Sequence, residues 1–265
     1  MNEPRSYLFV PGNRPERFAK AAASGAHCII VDLEDAVGPE DKDAARAHAV
    51  RWFAEGGAGL VRVNGADTPW FEADLAALAG VRQAAIMVPK ADPESLAHTA
   101  RRLPQRPLIA LVETVSALIG LPELAAVPGV ARLAFGNLDF GMDARIPGSG
   151  PVLDPARFQL AIHSRQAGLP PPIDGVTVAI RDEAPLRDDI ARARALGFTA
   201  KLCIHPAQVA AVNAGFAPSA EEIDWARRIV VAAAQGAGAA VQVDGKMVDR
   251  PVLDRAQAIL AGIDG

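Results

Sequence analysis

The sequence predicts a (β/α)8 barrel, also called a TIM barrel, followed by a C-terminal extension of helices and a hairpin. Short apolar runs alternate with segments of helical character about eight times, with only a few residues between them. A chain of 265 residues fits one large barrel or two small domains. Half of the residues are hydrophobic but only 5% are aromatic, so we expect a core of Ala, Val, Leu and Ile.

Each predicted strand is a short apolar run that ends at turn-forming or ionisable residues. Such runs are typical of parallel strands that are buried on both faces. The first run ends in the turn Pro11-Gly12, and the second ends in three acids. The predicted strands cover residues 5–12, 28–35, 60–65, 84–90, 108–113, 132–139, 172–178 and 200–206, of which 172–178 has the weakest pattern.

A helix is predicted after each of the first seven strands. Gly25 fits the C-cap of the first helix, and Pro39 fits the start of the second. The predicted helices cover residues 16–24, 39–54, 71–79, 93–102, 116–125, 155–167 and 183–196. A doubly wound open sheet is the alternative, but its first turn would more naturally carry a Gly-rich phosphate loop, which this sequence lacks.

The predicted barrel domain covers residues 1–216, and residues 217–265 form the extension. A helix over 221–234, a Gly-rich hinge over 235–239, a hairpin around Asp244-Gly245 and a helix over 252–261 are predicted there. So small a segment cannot bury a core of its own. We therefore expect it to dock on its own barrel or on a neighbouring subunit.

Composition and charge argue against several classes of protein. A formal charge of −4 and the lack of a long basic run disfavour nucleic acid as the main partner. No run approaches the roughly 18–20 apolar residues of a membrane helix, and no signal peptide is apparent. Cys28 and Cys203 lie in apolar runs and are interpreted as buried, reduced thiols. A cytoplasmic protein is expected.

Ionisable side chains follow most of the predicted strands, where a barrel keeps its active site. Glu113 ends the fifth strand and Asp139 the sixth, so these two acids are predicted to share one Mg²⁺ ion, which prefers oxygen ligands. Asp143 competes with Asp139 for this role. Asp32 is interpreted as a capping residue outside the site. The strand ends carry Pro11/Gly12, Glu34/Asp35, Arg62/Asn64, Lys90, Glu113, Asp139, Asp174 and His205.

The remaining strand-end residues suggest supporting roles around the metal. Arg62 is predicted to clamp a carboxylate or to stabilise an oxyanion. Glu34 and Asp35 fit a role in orienting metal-bound water or pairing with arginine. Lys90 fits either this outer layer or a structural pair with Glu113. A metal beside an arginine suits 2-oxo acids, whose carboxylate and carbonyl oxygens chelate the ion, and carbon–carbon cleavage next to that carbonyl.

Seven motifs occur together in the order of one known family. They are Arg5-Ser-x-Leu-Phe-Val-Pro-Gly, Asp32-Leu-Glu-Asp-Ala-Val, Val61-Arg-Val-Asn-Gly, Val88-Pro-Lys, Val112-Glu-Thr, Phe135-Gly-x-x-Asp and Ile204-His-Pro-x-Gln. With Gly245-Lys-Met-Val-Asp249-Arg-Pro in the tail, the chain resembles the citrate lyase β-subunit-like family of the HpcH/HpaI aldolase/citrate lyase superfamily.

This resemblance implies residue roles as well as a fold. It implies Mg²⁺ on Glu113 and Asp139 and substrate contacts from Arg62 and Glu113. It also implies that a channel for a coenzyme A thioester is lined by Phe9, Lys20, His205 and Pro206. It implies that Asp249 is an acid/base that reaches a neighbouring subunit of a trimer. The run Arg14-Pro-Glu-Arg17 departs from the family pattern, because it has fewer basic residues than many relatives carry at the expected coenzyme A contacts.

The implied reaction is the cleavage of a 3-hydroxyacyl-CoA of the citryl-, malyl- or citramalyl-CoA type to an acyl-CoA and a 2-oxo acid. Two alternatives stay open at this point. One is a 2-oxo-acid aldolase that does not use coenzyme A. The other is a β-type subunit that is active only within a larger lyase complex.

Overall fold

The structure is a computed structural model that describes residues 3–235 and 241–262. The chain divides into two compact units. The first is Pro4–Asn213, and the second combines Met1–Glu3 with Ala214–Gly265. The predicted boundary after residue 216 lies three residues beyond this division, and the predicted docking of the second unit stays a prediction.

The first unit contains a closed barrel of eight parallel strands, numbered β1 to β8 in chain order. Each strand pairs with the next along the chain, and β8 pairs with β1. The predicted barrel is therefore confirmed. The strands are β1 Ser6–Pro11, β2 Cys28–Asp32, β3 Leu60–Arg62, β4 Ala85–Val88, β5 Leu108–Val112, β6 Val130–Phe135, β7 Ile173–Asp174 and β8 Ala200–Cys203.

Helices surround the strands in the expected alternation. They are α1 Phe18–Ala22, α2 Lys42–Ala54, α3 Phe71–Leu78, α4 Pro93–Arg102, α5 Val115–Ile119, α6 Leu121–Ala125, α7 Asn137–Ala144, α8 Asp154–Gln166, α9 Glu183–Ala195 and α10 Val209–Phe216. Short 3-10 turns precede α1, α2, α8 and α10. Asp92 shows how the chain starts such a helix, because its carboxylate accepts hydrogen bonds from the backbone N–H groups of Glu94 and Ser95.

Two predicted elements differ from the structure at the ends of β6 and β7. The strand predicted over 132–139 ends at Phe135, and α7, which was not predicted, follows at once. Gly136 and Gly141 favoured a loop in the sequence interpretation of this segment. In the structure the ring centroids of Phe135 and Phe140 lie 5.3 Å apart, and this contact packs the helix against the end of β6. The strand predicted over 172–178 is reduced to Ile173–Asp174. Helix α10 was also not predicted.

The barrel interior follows the two-residue alternation of strands. In each strand every second side chain points to the axis, and these inner residues form an apolar cluster that includes Ile30, Leu60 and Leu111. The next residue of the same parity toward the C-terminal end is Asp32, Arg62 and Glu113, respectively. The register therefore places these three charged side chains just above the apolar floor.

The second unit contains α11 Ala220–Gln235, β9 Val241–Val243, β10 Lys246–Val248 and α12 Arg250–Ala261. The two strands pair antiparallel as the predicted hairpin, with positive φ at both turn residues, Asp244 and Gly245. Ala226, Ile229, Val248 and Ala256 form a small core in this unit, so the expectation that the segment buries no core of its own was wrong. The predicted hinge over 235–239 falls, apart from Gln235, outside the described residues. Every helix in 3–235 and 241–262 is too short or too polar to cross a bilayer.

Candidate active site

A cavity of about 370 Å³ opens at the C-terminal ends of the strands. Its wall combines acids and one arginine with apolar side chains. The lining residues are Phe9, Pro11, Asp32, Asp35, Ala36, Arg62, Leu111, Glu113, Gly136, Asn137, Leu138, Asp139, Val176, Leu202 and Ile204. Among the predicted site residues, the structure thus brings together Phe9, Asp35, Arg62, Glu113 and Asp139.

Arg62 is held in the cavity by a two-pronged ion pair with Asp32. Its Nε and Nη2 atoms each donate to one Asp32 carboxylate oxygen at 2.7 Å. The two residues are paired in register across β2 and β3. Burial alone would raise the pKa of Asp32, but the charge and hydrogen bonds of Arg62 outweigh it and lower this pKa. Asp32 is therefore an ionised partner of the arginine.

The interpretation of Asp32 as a residue outside the site was wrong. Its carboxylate does cap the following turn, since it accepts from the backbone N–H groups of Glu34 and Ala36. The same two oxygens also fix Arg62 and line the cavity. Alternation from the inward-facing Ile30 was the signal in the sequence that places Asp32 on the axis.

Glu34, Asp35 and Lys90 surround the other side of the guanidinium. Nη1 of Arg62 lies 2.9 Å from Glu34 Oε2 and 3.4 Å from Asp35 Oδ2. The Glu34 contact lacks hydrogen-bond geometry, so this buried Oε2 has no hydrogen-bond partner. Lys90 Nζ lies 3.4 Å from Glu34 Oε1. Burial raises the pKa of Glu34 to about 7, although Arg62 opposes the rise.

Glu113 is 2% exposed and projects from the end of β5 into the cavity. Its Oε2 accepts a hydrogen bond of 2.7 Å from the backbone N–H of Lys90, which has a φ of 44°. Its other oxygen faces Gly136, where an added Cβ would lie 2.6 Å from Oε1. Only a glycine permits so close an approach. Burial raises the pKa of Glu113 to about 8, and the charge of Glu34 adds to the rise.

Asp139 lies in the first turn of α7 and lines the same cavity wall as Glu113. The competing candidate, Asp143, instead accepts a hydrogen bond from the backbone N–H of Val115. The described residues contain no cluster of three or more His, Cys, Asp or Glu side chains suited to a metal. Glu113 is buried, its pKa is raised, and its carboxylate is bound by a backbone N–H rather than by a cationic side chain. Together with Asp139 it fits an ion such as Mg²⁺, which takes its other ligands from water and substrate.

Two buried polar groups that were not predicted support the cavity. Asn137 donates from Nδ2 to the backbone oxygens of Gly148 and Val176, and its Oδ1 accepts from the N–H of Val176. A Cβ at Gly175 would lie 1.9 Å from that Oδ1, so this glycine admits the amide. The loops after β7 and α7 are thereby fixed to the start of α7.

Lys42 is the second group. It binds the turn of residues 33–35 after β2, which carries Glu34 and Asp35 and is called the acidic turn below. Its buried ammonium donates to the backbone oxygens of Leu33 and Glu34 and to Oδ1 of Asn64. Asn64, two residues after Arg62, donates in turn to Oδ2 of Asp74. These hydrogen bonds connect the ends of β2 and β3. The spacing of Lys42, Asn64 and Asp74 in the sequence does not indicate that they interact.

Several predicted residues lie elsewhere. Lys20, His205 and Pro206 are exposed and are not among the residues that line the cavity. The Nδ1 atom of His205 accepts from the N–H of Ala207 and so caps a 3-10 turn. Asp249 belongs to the second unit, where its carboxylate caps α12. Their predicted roles toward coenzyme A and as acid/base stay predictions.

Comparison with known proteins now adds to this geometry. Residues 5–206 match the family described as HpcH/HpaI aldolase/citrate lyase. A "Citrate lyase subunit beta-like protein" of Deinococcus radiodurans is 38% identical over 98% of this chain and 99% of its own length. The chain belongs to this family. The predicted family is therefore confirmed, and with it the class of enzyme, a carbon–carbon lyase.

Two further relatives cover almost the whole chain. A "(3S)-malyl-CoA thioesterase" of Cereibacter sphaeroides is 36% identical over 97% of this chain and 96% of its own length. CitE from Mycobacterium tuberculosis, crystallised with magnesium, acetoacetate and coenzyme A, has a TM-score of 0.87 and 33% identity over 100% of this chain and 99% of its own. These similarities extend through the second unit, which the family match does not reach.

Proposed function

We propose that this member of the HpcH/HpaI family is a Mg²⁺-dependent lyase that cleaves a 3-hydroxyacyl-CoA to an acyl-CoA and a 2-oxo acid. The observation that carries the proposal is the arrangement of Glu113, Asp139 and Arg62 around one cavity. A crystallised relative that holds magnesium and coenzyme A supports it. The names of the relatives, which include citrate lyase β-like proteins, support the reaction class.

Glu113 and Asp139 would hold the metal ion. Bound there, Mg²⁺ supplies a Lewis acid for the oxygen at the carbon being cleaved. The raised pKa of Glu113 fits this role, because a carboxylate that is hard to ionise in a buried acidic site is stabilised by a nearby cation. Gly136 and the N–H of Lys90 keep the Glu113 carboxylate turned toward the cavity.

Arg62 orients the substrate and stabilises the oxygen that changes between hydroxyl and carbonyl. A guanidinium has five N–H donors. Its contacts with Asp32, Glu34 and Asp35 engage the Nε, Nη2 and Nη1 atoms and leave at least one N–H for a ligand. Because Asp32 fixes the plane of the guanidinium, little reorganisation is needed when charge develops on that oxygen.

The reaction breaks the bond between C2 and C3 of the acyl chain. The hydroxyl on C3 releases its proton to solvent and becomes the carbonyl of the 2-oxo acid, while the electrons of the C2–C3 bond move to C2 as a thioester enolate. A proton then returns to C2. We propose Asp249 as the donor of that proton, acting from a neighbouring subunit of a trimer, and general acid catalysis of this kind is typically worth ~10²–10⁴ in rate.

A direct assay tests the proposal. Purified protein with Mg²⁺ is given citryl-, malyl- and citramalyl-CoA, and the 2-oxo acid is measured with a coupled dehydrogenase. We expect cleavage of at least one thioester, its loss in EDTA and its loss in Glu113→Gln. Asp249→Asn should retain metal binding but lose turnover. Cleavage at the wild-type rate in EDTA would contradict the metal-dependent mechanism.

Hydrolysis of the thioester is a second candidate function, because relatives such as that of Cereibacter sphaeroides carry the name malyl-CoA thioesterase. The same incubation separates the two reactions. A thioesterase releases free thiol, which a thiol reagent detects, and leaves malate intact. A lyase releases a 2-oxo acid and keeps the coenzyme A acylated.

Two further outcomes correspond to the remaining alternatives. Cleavage of 2-oxo acid aldols, combined with no binding of any coenzyme A thioester, would indicate an aldolase. A chain that is inert alone but active with an added acyl-carrier protein would indicate a β-type subunit of a larger complex. The trimer is tested separately by light scattering on the purified chain.

A further inference from the structure

A second cavity, of about 180 Å³, lies at the end of the barrel opposite the active-site cavity. It is formed mainly by the segments that connect α3 to β4 and α4 to β5, and both segments enter their strands at the N-terminal end. Three of its lining residues are arginines, namely Arg82, Arg102 and Arg106, and none of the described residues that line it is an acid. The cavity wall therefore concentrates positive charge, although the whole chain has a formal charge of −4.

Arg106 is a buried cation in the wall of this cavity. It is 6% exposed, and its Nη1 and Nη2 atoms donate to the backbone oxygens of Ala84 and Leu78 at 2.9 and 3.1 Å. A guanidinium has five N–H donors, and no described residue accepts a hydrogen bond from the other three. Burial lowers the pKa of Arg106, and the charge of Arg82 adds to this lowering. The two carbonyl oxygens hold the cation in place but do not neutralise it.

The other two arginines also lack a full counter-charge. Arg82 is exposed and forms no ion pair with any residue that the structure describes. Arg102 pairs with Glu72, but the other oxygen of that carboxylate lies 2.6 Å from His98. The hydrogen bonds of Arg106 explain its place in the fold, whereas its proximity to Arg82 costs free energy through repulsion of like charges. An anion bound among the arginines would offset that repulsion.

The turn that carries Gln105 adds a neutral side chain to the same wall. The backbone N–H of Arg106 donates to the oxygen of Leu103 at 3.3 Å and closes a turn over residues 103–106. Gln105 has a φ of 65° within this turn, a conformation that favours glycine. Unlike glycine, the glutamine contributes a carboxamide that can donate a hydrogen bond to a ligand in the cavity. Local strain of this kind is common at binding sites.

We propose that this second cavity binds the phosphate group of a small anion, either inorganic phosphate or a phosphorylated metabolite. The guanidinium fork matches the oxygens of phosphate, and such hydrogen bonds are strengthened by charge on both partners. Phosphate fits better than a carboxylate, because three converging arginines match a tetrahedral dianion and exceed what a planar monoanion offsets. The inference goes beyond the proposed lyase function and does not depend on it, since the two cavities lie at opposite ends of the barrel.

Calorimetric titration with inorganic phosphate, in EDTA at pH 8 and at constant ionic strength, tests the proposal. We expect saturable binding at one site per chain, weakened about tenfold in Arg82→Gln because a charge-assisted contact is lost. Arg165→Gln should bind phosphate like the wild type. It is the matched control, because Arg165 is another exposed arginine without an ion pair among the described residues. No saturable binding, or equal weakening in both variants, would overturn the proposal.

Further variants locate the anion and check the fold. Circular dichroism shows whether Arg82→Gln is folded, and Arg102→Gln is a second variant from which we expect the same loss of phosphate affinity. Arg62→Lys alters the cavity at the other end of the barrel. Loss of phosphate binding in Arg62→Lys, with wild-type binding in Arg82→Gln and Arg102→Gln, would place the anion in the active site and overturn the proposal.

A second ligand distinguishes the two sources of the phosphate group. Glycerol 3-phosphate is titrated under the same conditions as inorganic phosphate. Tighter binding of glycerol 3-phosphate would identify a phosphorylated metabolite as the ligand, and tighter binding of inorganic phosphate would identify the free ion. Either result supports the site only if Arg82→Gln weakens it, and an affinity that Arg82→Gln leaves unchanged for both ligands would overturn the proposal.

Discussion

Two clusters of buried charge lie at the same end of this barrel, and they differ in how their charges are satisfied. In the first, Asp174 accepts from Arg157 and Lys201 at 2.7 and 2.8 Å, one on each carboxylate oxygen. Burial would raise the pKa of Asp174, but these two cations outweigh it and lower this pKa. In the second, Arg62 pairs with Asp32, Glu34 and Asp35, Lys90 lies 3.4 Å from Glu34, and Glu113 makes no ion pair among the described residues. Burial raises the pKa of both glutamates.

We infer from this difference that the Asp174 cluster is structural and that the Glu113 cluster serves the proposed function. Every charge in the Asp174 cluster has a partner, and its residues do not line the active-site cavity. The Glu113 cluster has more acids than cations and a buried Glu34 oxygen without a hydrogen bond. Such an arrangement is unfavourable by itself and becomes favourable when a cation binds. The sites where a protein departs from local optimality are where function is expected.

The largest effect should come from the cation of the functional cluster. Arg62→Lys keeps the charge but loses the planar fork that grips both oxygens of Asp32. We expect turnover to fall by ~10²–10³, as for the loss of one donor to a developing oxyanion. Steady-state kinetics of the lyase reaction measure this. Turnover within a factor of three of the wild type would show that the fork is not needed.

The matched change in the structural cluster should act on stability instead. Asp174→Asn leaves Lys201 buried without a counter-charge and leaves Arg157 with only Asp154, at 3.4 Å. Breaking such a buried pair costs about 3–5 kcal/mol of unfolding free energy. Urea denaturation measures the loss. Because the folded-state pKa of Asp174 is lowered, its contribution is present above the unfolded value of about 3.9 and is lost as pH falls through the lower value. The variant should therefore lose part of the wild-type dependence of stability on pH below 4.

A smaller effect is expected from the residue that positions the acidic turn. Lys42→Met removes three hydrogen bonds below Glu34 and Asn64, and loss of such outer support typically costs about 10–100-fold. We expect that decrease in kcat/KM with little change in Mg²⁺ affinity. Arg106→Met is the control, because Arg106 is also a buried cation bonded to backbone oxygens, those of Leu78 and Ala84. Equal losses of kcat/KM in both variants would show that Lys42 contributes to the stability of the fold and not specifically to the site.

The smallest effect is a gain of stability in the metal-free protein. The folded-state pKa of Glu113 is raised to about 8, so ionising this buried carboxyl destabilises the folded protein. That loss of stability is absent in acid, grows as pH rises above the unfolded pKa and is complete above pH 8. Glu113→Gln in EDTA should therefore melt a few degrees higher than the wild type at pH 9, with each kcal/mol worth roughly 2–4 °C. At pH 4 the two should melt together. A variant that melts lower at both pH values would contradict this reading of the cluster.

Much of this comparison was visible in the sequence, and its limits have physical causes. The alternation of apolar runs and helices predicted the barrel, and acids at the ends of β5 and near β6 predicted which side chains share the cavity. Asp32 was interpreted as a cap alone, although its carboxylate both caps the turn and binds Arg62, and strand alternation from Ile30 was the signal for the second task. Lys42 and Asn137 act through backbone oxygens of distant loops, and such contacts leave no spacing pattern.

The measurement that tests the central claim most directly is a Mg²⁺ titration by calorimetry in the presence of pyruvate. We compare the wild type with Glu113→Gln, Asp139→Asn and Asp143→Asn. Asp143 is the matched control, since it lies in the same helix but bonds to the N–H of Val115. The account predicts that the first two variants each lose at least tenfold in Mg²⁺ affinity and that Asp143→Asn binds like the wild type. Wild-type affinity in both Glu113→Gln and Asp139→Asn would contradict it.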